Sequence, residues 1–408
     1  MIPGRARLRR EEEAVLLCAH AEPSQQHEQR LRSLLLAEGL KWARLWQIAE
    51  AQQVLPLVGR AVERMAAGSP LPEAVVARAR SIRRQTAICN LSCHAELLRL
   101  GRALQARGIP AVPLKGTWLA QSLFGGLDAR QVGDIDVLVS ESQIEHARAV
   151  VRALGYATAT GVRPGVQRHS FHGVPFVLDG PTGGFQLELH WKLTNPRFAT
   201  IDYAQLWTRI LTASGSERPL RPLPDEENLV FLALHLAKHD RGVLRLLADV
   251  DRLVRRTGEA LDWAHVLQLA DAWSVASLLY FALWRAEALL ETPIPGWVLA
   301  RLRPATWRGA LVDLLAGPWA VLRPPSADSL RANRFRLAYC AMLPPLSRAI
   351  EAYACYVMLP DGSQQWDQLT KLSDKARGLA RGLAWTGLVL GYSLAQRCRF
   401  GGSYALLR

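Results

Sequence analysis

Two carboxylates, Asp134 and Asp136, lie two residues apart in a strand that the β-prone run Ile135 to Val139 predicts. Side chains two apart in a strand project from one face, so both carboxylates are expected close together. Such a pair repels, and Mg²⁺, which prefers oxygen ligands and also binds substrate phosphates, relieves the repulsion. Most D-x-D pairs are exposed surface acids, but an unpaired charge inside an apolar strand is costly. The pair is therefore interpreted as a metal site.

A third carboxylate occurs in the later segment Phe185 to Leu193, where apolar and polar residues alternate with period two, as in a half-buried strand. Glu188 and His190 share one face of this predicted strand, while Leu187 and Leu189 share the other. If this strand neighbours the first, Glu188 completes a two-metal site for in-line attack at a phosphoryl group. His190 is interpreted as a buried, hydrogen-bonded histidine beside the site, with a substrate contact as the alternative.

The tripeptide Lys115-Gly116-Thr117 follows a short apolar run and opens a predicted helix. Glycine lets the backbone approach a phosphate closely, and a helix N-terminus offers free amide groups to an anion. The lysine adds a positive charge, so the turn is a candidate phosphate-binding site, although the tripeptide alone is a weak signal. Arg130 lies four residues before Asp134 and could reach triphosphate oxygens. An exposed loop arginine is an equally good interpretation of Arg130.

Helices are predicted on the N-terminal side of these motifs, over residues 11–107. In the last of them, Ala95 to Arg107, four leucines fall mostly on one stripe, as in an amphipathic helix. Gly108 followed by Pro110 ends this helix. The chemistry-bearing residues therefore follow a helical region.

The segment that carries the motifs, about 108–195, is predicted to be a mixed α/β unit with few strands. A helix over 141–154, capped by Ser140, and a hairpin within 161–184 complete it. From Asp225, a good N-cap, the chain becomes helical again and stays so, with joints rich in proline and glycine. The helices on both sides must therefore position the α/β unit.

The net charge of the chain is +14, from 50 basic and 36 acidic residues. This balance suits a polyanionic partner such as a nucleoside triphosphate, a nucleic acid or an acidic membrane surface. Residues 301–408 hold 15 Arg or Lys against 6 Asp or Glu, which places +9 of the charge there. A basic segment of this kind is more often a solvated surface than a binding site.

Cysteine spacing and targeting signals limit the class of protein. The six cysteines form no C-x-x-C pair, which argues against a disulfide framework and a zinc ribbon. The basic beginning, Met1 to Arg10, is followed by glutamates rather than by an apolar signal core. The most apolar late stretch, Ala384 to Ala395, is shorter than the ~20 residues of a membrane helix. No transmembrane segment is expected, and the cytoplasm is the expected compartment.

Together and in this order, the motifs resemble those of the uncharacterised bacterial nucleotidyltransferase family, within the nucleotidyltransferase superfamily that shares the DNA polymerase beta-like fold. The resemblance covers roughly residues 90–270. It consists of an L-K-G turn, an R…D-I-D-x-L-V strand, an E-x-H-W strand and a helical H-x-x-K-H segment: Leu114 to Gly116, Arg130 with Asp134 to Val139, Glu188 to Trp191, and His235 to His239. Two departures are a threonine at position 117, where the superfamily usually has serine, and a long gap between turn and aspartates.

This resemblance implies an α+β fold, with a small mixed-sheet nucleotidyltransferase core embedded between helical segments. The implied regions are an N-terminal helical region, the α/β core and a helical C-terminal region, at residues 1–107, 108–215 and 216–408. It also implies transfer of a nucleotidyl group, AMP being the expected one, from a nucleoside triphosphate to an acceptor hydroxyl or phosphate. The acceptor pocket would come from the helical regions, so a small molecule, a peptide, a protein and an RNA end all fit.

The roles of the site residues follow from the same resemblance. Asp134 and Asp136 would hold two Mg²⁺ ions, with Mn²⁺ as an alternative, and Glu188 would assist the attacking hydroxyl as the third metal-binding carboxylate. The residues expected at the nucleotide phosphates are Lys115, Gly116, Thr117 and Arg130.

The helical segment from His235 to His239 could also contribute to the site. His235 and His239 are four residues apart and share a helix face, which suits a metal, but no third ligand follows at a recognisable spacing. With Lys238 they are candidates for substrate contacts, as is His190; a structural network is the favoured alternative.

Three other functions compete with nucleotidyl transfer. Nucleic-acid binding is favoured by the basic charge, but no RRM, KH or helix-turn-helix signature is present. A non-catalytic scaffold that keeps the fold is disfavoured, because loss of catalysis would typically cost at least one of the three carboxylates. A phosphotransferase that passes on a γ-phosphate is a close chemical neighbour and fits the same residues.

Overall fold

The structure is a computed structural model that describes most of the chain up to residue 311. The described ranges are 8–68, 70–159, 172–179, 184–194, 198–213, 219–238, 243–305, 307–311, 338 and 341–342. Most of the basic segment 301–408, the apolar stretch Ala384 to Ala395, His239 and much of the predicted hairpin over 161–184 lie outside these ranges. Within them the fold is α+β: mostly helical, with one small mixed sheet, as predicted.

Five helices precede the sheet in the sequence and form the N-terminal helical part of the fold. Their bounds are Arg10–Ala19 (α1), Gln25–Leu35 (α2), Trp42–Ala51 (α3), Leu55–Ala66 (α4) and Glu73–Gln105 (α5). The helix predicted over 95–107 is the last part of α5, which is 33 residues long. It ends where predicted, because Gly108 takes a φ of +67°, a left-handed conformation that glycine adopts without strain.

The sheet has five short strands in the order β1-β2-β5-β4-β3. Their bounds are Val112–Pro113 (β1), Ile135–Leu138 (β2), Ala157–Thr158 (β3), Gly173–Leu178 (β4) and Phe185–His190 (β5). Strands β2 and β5 pair in parallel with Asp136 opposite Glu188, whereas the other neighbours are antiparallel. The two predicted motif strands are therefore neighbours, in the register that brings their carboxylates together.

One face of the sheet is packed and the other carries the polar side chains. Val137 of β2 and Leu189 of β5 are fully buried in a cluster with Leu100 of α5 and Val151 from residues 144–153. Because strand side chains alternate, Asp136, Glu188 and His190 project from the opposite face. The apolar positions thus fix the orientation of both strands, and the acidic positions follow from it.

Two local predictions in this unit differ from the structure. Asp134 lies in the loop directly before β2 rather than in the strand, because the ladder begins at Ile135. The predicted helix over 141–154 begins with a 3₁₀ turn, Glu141–Gln143, and continues as Ile144–Ala153 (α7). Ser140 does not cap it, because its Oγ lies 3.0 Å from Ser142 Oγ instead of accepting a backbone amide.

Eight further α-helices belong to the described part of the fold. Besides α7 they are Gly116–Leu123 (α6), Tyr203–Ala213 (α8), Asp225–Lys238 (α9), Val243–Thr257 (α10), Trp263–Ala272 (α11), Ala276–Leu290 (α12) and Gly296–Leu302 (α13). Helices α9, α10 and α12 pack against one another, and α10 also contacts α6. The described residues include no helix that is both long enough and apolar enough to span a bilayer.

The loop that joins α6 to β2 is held by side chains of the N-terminal helices. Asn90 Nδ2 donates to the carbonyls of Leu127 and Arg130 at 2.6 and 2.7 Å. Arg60 donates to Asp128 Oδ1 in the same loop at 3.1 Å. These hydrogen bonds hold the middle of the loop that leads to Asp134 and β2.

A buried ion pair joins the same loop to the helices that follow the sheet. The Arg130 guanidinium donates from Nε and Nη2 to the two carboxylate oxygens of Asp249 in α10, at 2.7 and 2.8 Å. Arg130 is 2% exposed and Asp249 is fully buried. A bidentate pair in such a place orients both partners, and each would be an uncompensated buried charge without the other.

We expect Asp249→Asn to lower the free energy of unfolding by about 3 kcal/mol, because it leaves the Arg130 charge buried without a counter-ion. Asparagine keeps the volume of the side chain, so no cavity contributes. Chemical denaturation of both proteins measures the difference. The matched control is Asp271→Asn, which breaks an ion pair with Arg301 whose side chains are 52% and 57% exposed; it should change stability by less than about 1 kcal/mol. Equal effects of the two substitutions would contradict a structural role for the buried pair.

Candidate functional site

Strand β5 and the loop before β2 border a cavity of about 500 Å³. Its walls come from the turn before α6, the loop before β2, strand β5 and helices α9 and α10; among the side chains that line it are Lys115, Asp134, Glu188, His190, His235 and Arg245. A volume of this size lies within the range of small-molecule pockets. Acidic and basic side chains therefore meet in one cavity at the junction of sheet and helices.

Asp136 does not itself line this cavity: its side chain is 0% exposed and contacts two residues that do, Lys115 and His190. Lys115 Nζ lies 3.1 Å from its Oδ2, and His190 Nε2 lies 3.1 Å from its Oδ1. Burial opposes ionisation, but the lysine charge and the hydrogen bond with His190 outweigh it and hold the pKa of Asp136 well below its ordinary value. Asp136 is therefore a carboxylate at neutral pH.

His190 links this carboxylate to Glu188. Its Nε2 also lies 3.2 Å from Glu188 Oε2, and the Glu188 side chain is 47% exposed to the cavity. Burial alone would lower the pKa of His190, but its hydrogen bonds to the two carboxylates raise it. The hydrogen bond with His190 likewise lowers the pKa of Glu188. His190 is thus buried and hydrogen-bonded beside the carboxylates, in agreement with the interpretation from the alternating pattern.

Asp134 lines the cavity from the loop before β2. Burial and the neighbouring charge of Asp136 raise its pKa, while Lys115 acts in the opposite direction. This mutual effect is the repulsion expected for two neighbouring carboxylates. The D-x-D pair therefore lies at one site, although only Asp136 belongs to the strand.

The donor set suits a divalent cation. One ligand atom each from Asp136, Glu188 and His190 lies within 4.8 Å of the others, and this cluster contains His190 in place of the predicted Asp134. Asp136 Oδ2 is buried and has no hydrogen bond with ideal geometry, only its ion pair with Lys115. Neighbouring ligands of an octahedral ion bound at ~2.1 Å lie about 3.0 Å apart, close to the separations around His190. Two carboxylates suit Mg²⁺, and an imidazole nitrogen also suits Mn²⁺ or another transition metal.

The turn before α6 requires glycine at position 116. Gly116 takes a φ of +64°, and a Cβ there would lie 3.1 Å from the carbonyl oxygen of Asp134. This close approach places Lys115 against Asp136. Thr117 does not line the cavity with them, because its hydroxyl is buried 3.3 Å from Nδ1 of His94 in α5. Of the predicted turn residues, Lys115 and Gly116 border the cavity and the Thr117 side chain faces α5.

Arg130 is not an exposed loop arginine, so that interpretation is wrong. Its Nε and Nη2 are engaged by Asp249, and its Nη1 donates to the carbonyl of Gly116 at 3.3 Å. These bonds tie the phosphate-loop candidate to α10. Asp251, two residues after Asp249 on α10, is also structural: it is buried and accepts from Thr292 at 2.8 Å.

Arg245 was missed by the sequence analysis. It lies on α10, lines the cavity and donates from Nε to Oε1 of Gln53 at 2.8 Å. Burial and the neighbouring charge of Arg130 lower its pKa to about 10, a value at which it remains charged at neutral pH. Within a run of helical residues that includes several arginines, no spacing distinguishes this one, so only the packing of α10 reveals it.

His235 is the described member of the helical histidine motif. It lines the cavity from α9 and stacks on Phe231, with ring centroids 6.2 Å apart. Lys238 is the last residue of α9, and its side chain, like the whole of His239, lies outside the described residues. The motif therefore does reach the cavity through its first histidine.

Comparison with known proteins agrees with this geometry. Residues 38–291 match the family described as an uncharacterised nucleotidyltransferase. No curated protein and no solved structure matches the chain. The matched range is more than half of the chain and runs from just before α3 to the end of α12, so it contains the sheet, the carboxylates and both helical walls of the cavity. The chain belongs to the uncharacterised nucleotidyltransferase family.

Proposed function

We propose that this protein transfers a nucleotidyl group, AMP from ATP, to an acceptor hydroxyl or phosphate. The observation that carries the proposal is that Asp134 and Glu188 line one cavity, while the buried Asp136 contacts two other lining residues, Lys115 and His190. Paired carboxylates on neighbouring strands are what a metal-assisted displacement at phosphorus requires. Family membership supports the reaction class, and the acceptor remains to be identified by experiment.

Mg²⁺ is the proposed metal, with two ions as in the resemblance and Mn²⁺ as the alternative. Asp134 and Asp136 would share the ions, and Glu188 with His190 would complete the donor set. When bound, the ions neutralise charge on the transferred phosphate group and on the leaving pyrophosphate.

The residues of the chain have distinct roles in the proposed reaction. The acceptor oxygen forms a bond to the α-phosphorus, the bond from the α-phosphorus to its bridging oxygen breaks, and pyrophosphate leaves. Glu188, whose side chain is 47% exposed to the cavity, receives the proton of the acceptor hydroxyl. Lys115 and the backbone at Gly116 face the phosphate chain from the start of α6.

Transfer of a γ-phosphate instead would use the same carboxylates, so the two reactions must be separated by their products. ATP labelled at the α-phosphate labels the acceptor in nucleotidyl transfer and releases pyrophosphate. ATP labelled at the γ-phosphate labels the acceptor only in phosphoryl transfer. Acceptor candidates should be screened with both labels in parallel.

We expect wild-type protein to bind a non-hydrolysable ATP analogue with micromolar affinity in the presence of Mg²⁺, and an Asp134→Ala/Asp136→Ala variant to lose this binding. The reason is that the variant cannot hold the cation that bridges protein and phosphates. Isothermal titration with ATP and GTP analogues, with and without Mg²⁺, measures the effect. Asp271→Asn is the control for loss of an exposed acid. A folded wild-type protein that binds no triphosphate under these conditions would contradict the proposal.

We expect Lys115→Met to lower the free energy of unfolding by about 3 kcal/mol without metal, because the buried Asp136 carboxylate loses its counter-ion. Mg²⁺ should stabilise this variant more than the wild type, because the ion replaces the missing charge and no longer competes with the ammonium group. Thermal unfolding over a Mg²⁺ series checks both effects. The matched control is Lys192→Met, whose partner Glu141 is 64% exposed. Equal stabilisation of all three proteins by Mg²⁺ would show that Lys115 and the metal do not share Asp136.

A further inference from the structure

Arg245 is the cation at the cavity whose charge is not matched by a direct acidic partner. Lys115 is paired with Asp136, and Arg130 is paired with Asp249. Within the part of the chain that the structure describes, no carboxylate lies within ion-pair distance of Arg245, although its guanidinium borders the cavity. A largely buried positive charge of this kind is stabilised when an anion enters the cavity.

The turn after α3 fixes the position of Arg245. Gln53 takes a φ of +56°, in the left-handed region that a non-glycine residue rarely adopts. Its Oε1 accepts from Arg245 Nε at 2.8 Å, and the backbone carbonyl of Gln52 accepts the Arg245 amide at 3.3 Å. The Gln52 side chain also accepts the amide of Leu244 at 3.1 Å. These three hydrogen bonds fix the start of α10. The two terminal nitrogens of Arg245 are the donors that remain for a ligand.

The chemistry of the guanidinium selects the class of that ligand. Two parallel N–H groups match two oxygens of a phosphate or carboxylate, and the planar group keeps its charge at any pH of interest. The acids at the same cavity are Asp134 and Glu188. A ligand that reaches both Arg245 and these acids must therefore carry two anionic groups. One group would bind the arginine directly, and the other would bind a cation that the acids hold. A polyphosphate chain meets both requirements.

We propose that Arg245 binds the β- and γ-phosphates of the nucleotide and that Gln53 is its positioning residue. This inference rests on the proposed function for the identity of the nucleotide. It assigns to α10 the phosphate contact that the sequence analysis placed on Arg130, whose nitrogens are engaged by Asp249 and Gly116. It also makes the site dependent on the turn after α3, about 80 residues before the first carboxylate motif in the sequence, because that turn contains Gln53.

The test compares ATP, AMP and inorganic tripolyphosphate as ligands of the full chain in titration calorimetry. Arg245→Gln should weaken ATP and tripolyphosphate about 10- to 100-fold, the range expected for loss of hydrogen bonds to a charged group. AMP, which lacks the β- and γ-phosphates, should bind within about twofold of wild type, since only the contact to the distal phosphates is removed. Arg245→Lys keeps the positive charge but loses the two parallel N–H groups, so it should cause an intermediate loss of ATP affinity. This variant should fold if the glutamine variant does not. Arg301→Gln is the control, because Arg301 is 57% exposed.

Gln53→Asn tests the positioning role, because asparagine tolerates the left-handed backbone but its side chain is too short to reach Arg245. It should weaken ATP and tripolyphosphate in the same direction as Arg245→Gln, less strongly, and leave AMP unchanged. Affinities of Gln53→Asn equal to wild type for all three ligands would overturn the role of Gln53.

The outcomes separate this inference from the proposed function. Unchanged ATP affinity in both Arg245 variants, or an equal loss for AMP and tripolyphosphate, would overturn the Arg245 assignment while nucleotide binding by wild type stands. If wild type binds tripolyphosphate but no nucleotide, and Arg245→Gln loses that binding, the polyphosphate site stands and the nucleotidyl-transfer proposal fails. If wild type binds neither ligand, both are overturned.

Discussion

The buried charge of Asp136 is the constraint on which the rest of the site depends. A carboxylate with no exposed surface, in a strand whose other face is apolar, must be compensated, and here Lys115 and His190 compensate it. Lys115 can do so only because the turn before α6 comes close to the start of β2. That approach in turn requires a glycine at position 116, where any side chain would meet the carbonyl of Asp134. One electrostatic requirement therefore fixes a loop, a turn and the beginning of a helix.

The same need to compensate a buried charge applies to a second ion pair, farther from the sheet. Arg130 lies in the loop between the turn and β2, and its own charge is buried, so it needs Asp249 of α10. This ion pair fixes the helices that follow the sheet next to the site, and α10 places Arg245 at the cavity. On the other side, Asn90 and Arg60 of the N-terminal helices hold the same loop. The helices are therefore part of the site, and the small sheet alone would not complete it.

Patterns short enough to be local in the sequence predicted the fold and the acidic side of the site. Alternation in two apolar runs gave the faces of β2 and β5, and the parallel pairing of Asp136 with Glu188 confirmed that these strands are neighbours. Contacts between distant segments were not predictable in this way. Arg130 and Asp249 are 119 residues apart, and Arg245 and Gln53 are 192 apart. No period or motif connects such positions, because the contacts arise only where α10 meets the loop before β2 and the turn after α3. The predicted position of the Thr117 side chain was wrong for a related reason. At the start of α6 its hydroxyl is directed toward α5 rather than into the cavity.

The distribution of charge at the cavity explains why metal and nucleotide should bind together rather than separately. The acids near it are Asp134, Asp136, Glu188 and Asp249, and the cations are Lys115, Arg130 and Arg245. Leaving histidines aside, the sum is one net negative charge, so a free triphosphate with about four negative charges would be repelled by the carboxylates. On the proposed function, two Mg²⁺ ions with one triphosphate would add almost no net charge, with the cations at the carboxylates and the distal phosphates at the arginine. A cation held by Asp136 would compete with Lys115 for that carboxylate. A displaced lysine would then be available to the phosphates, so each proposed ligand would raise the affinity for the other.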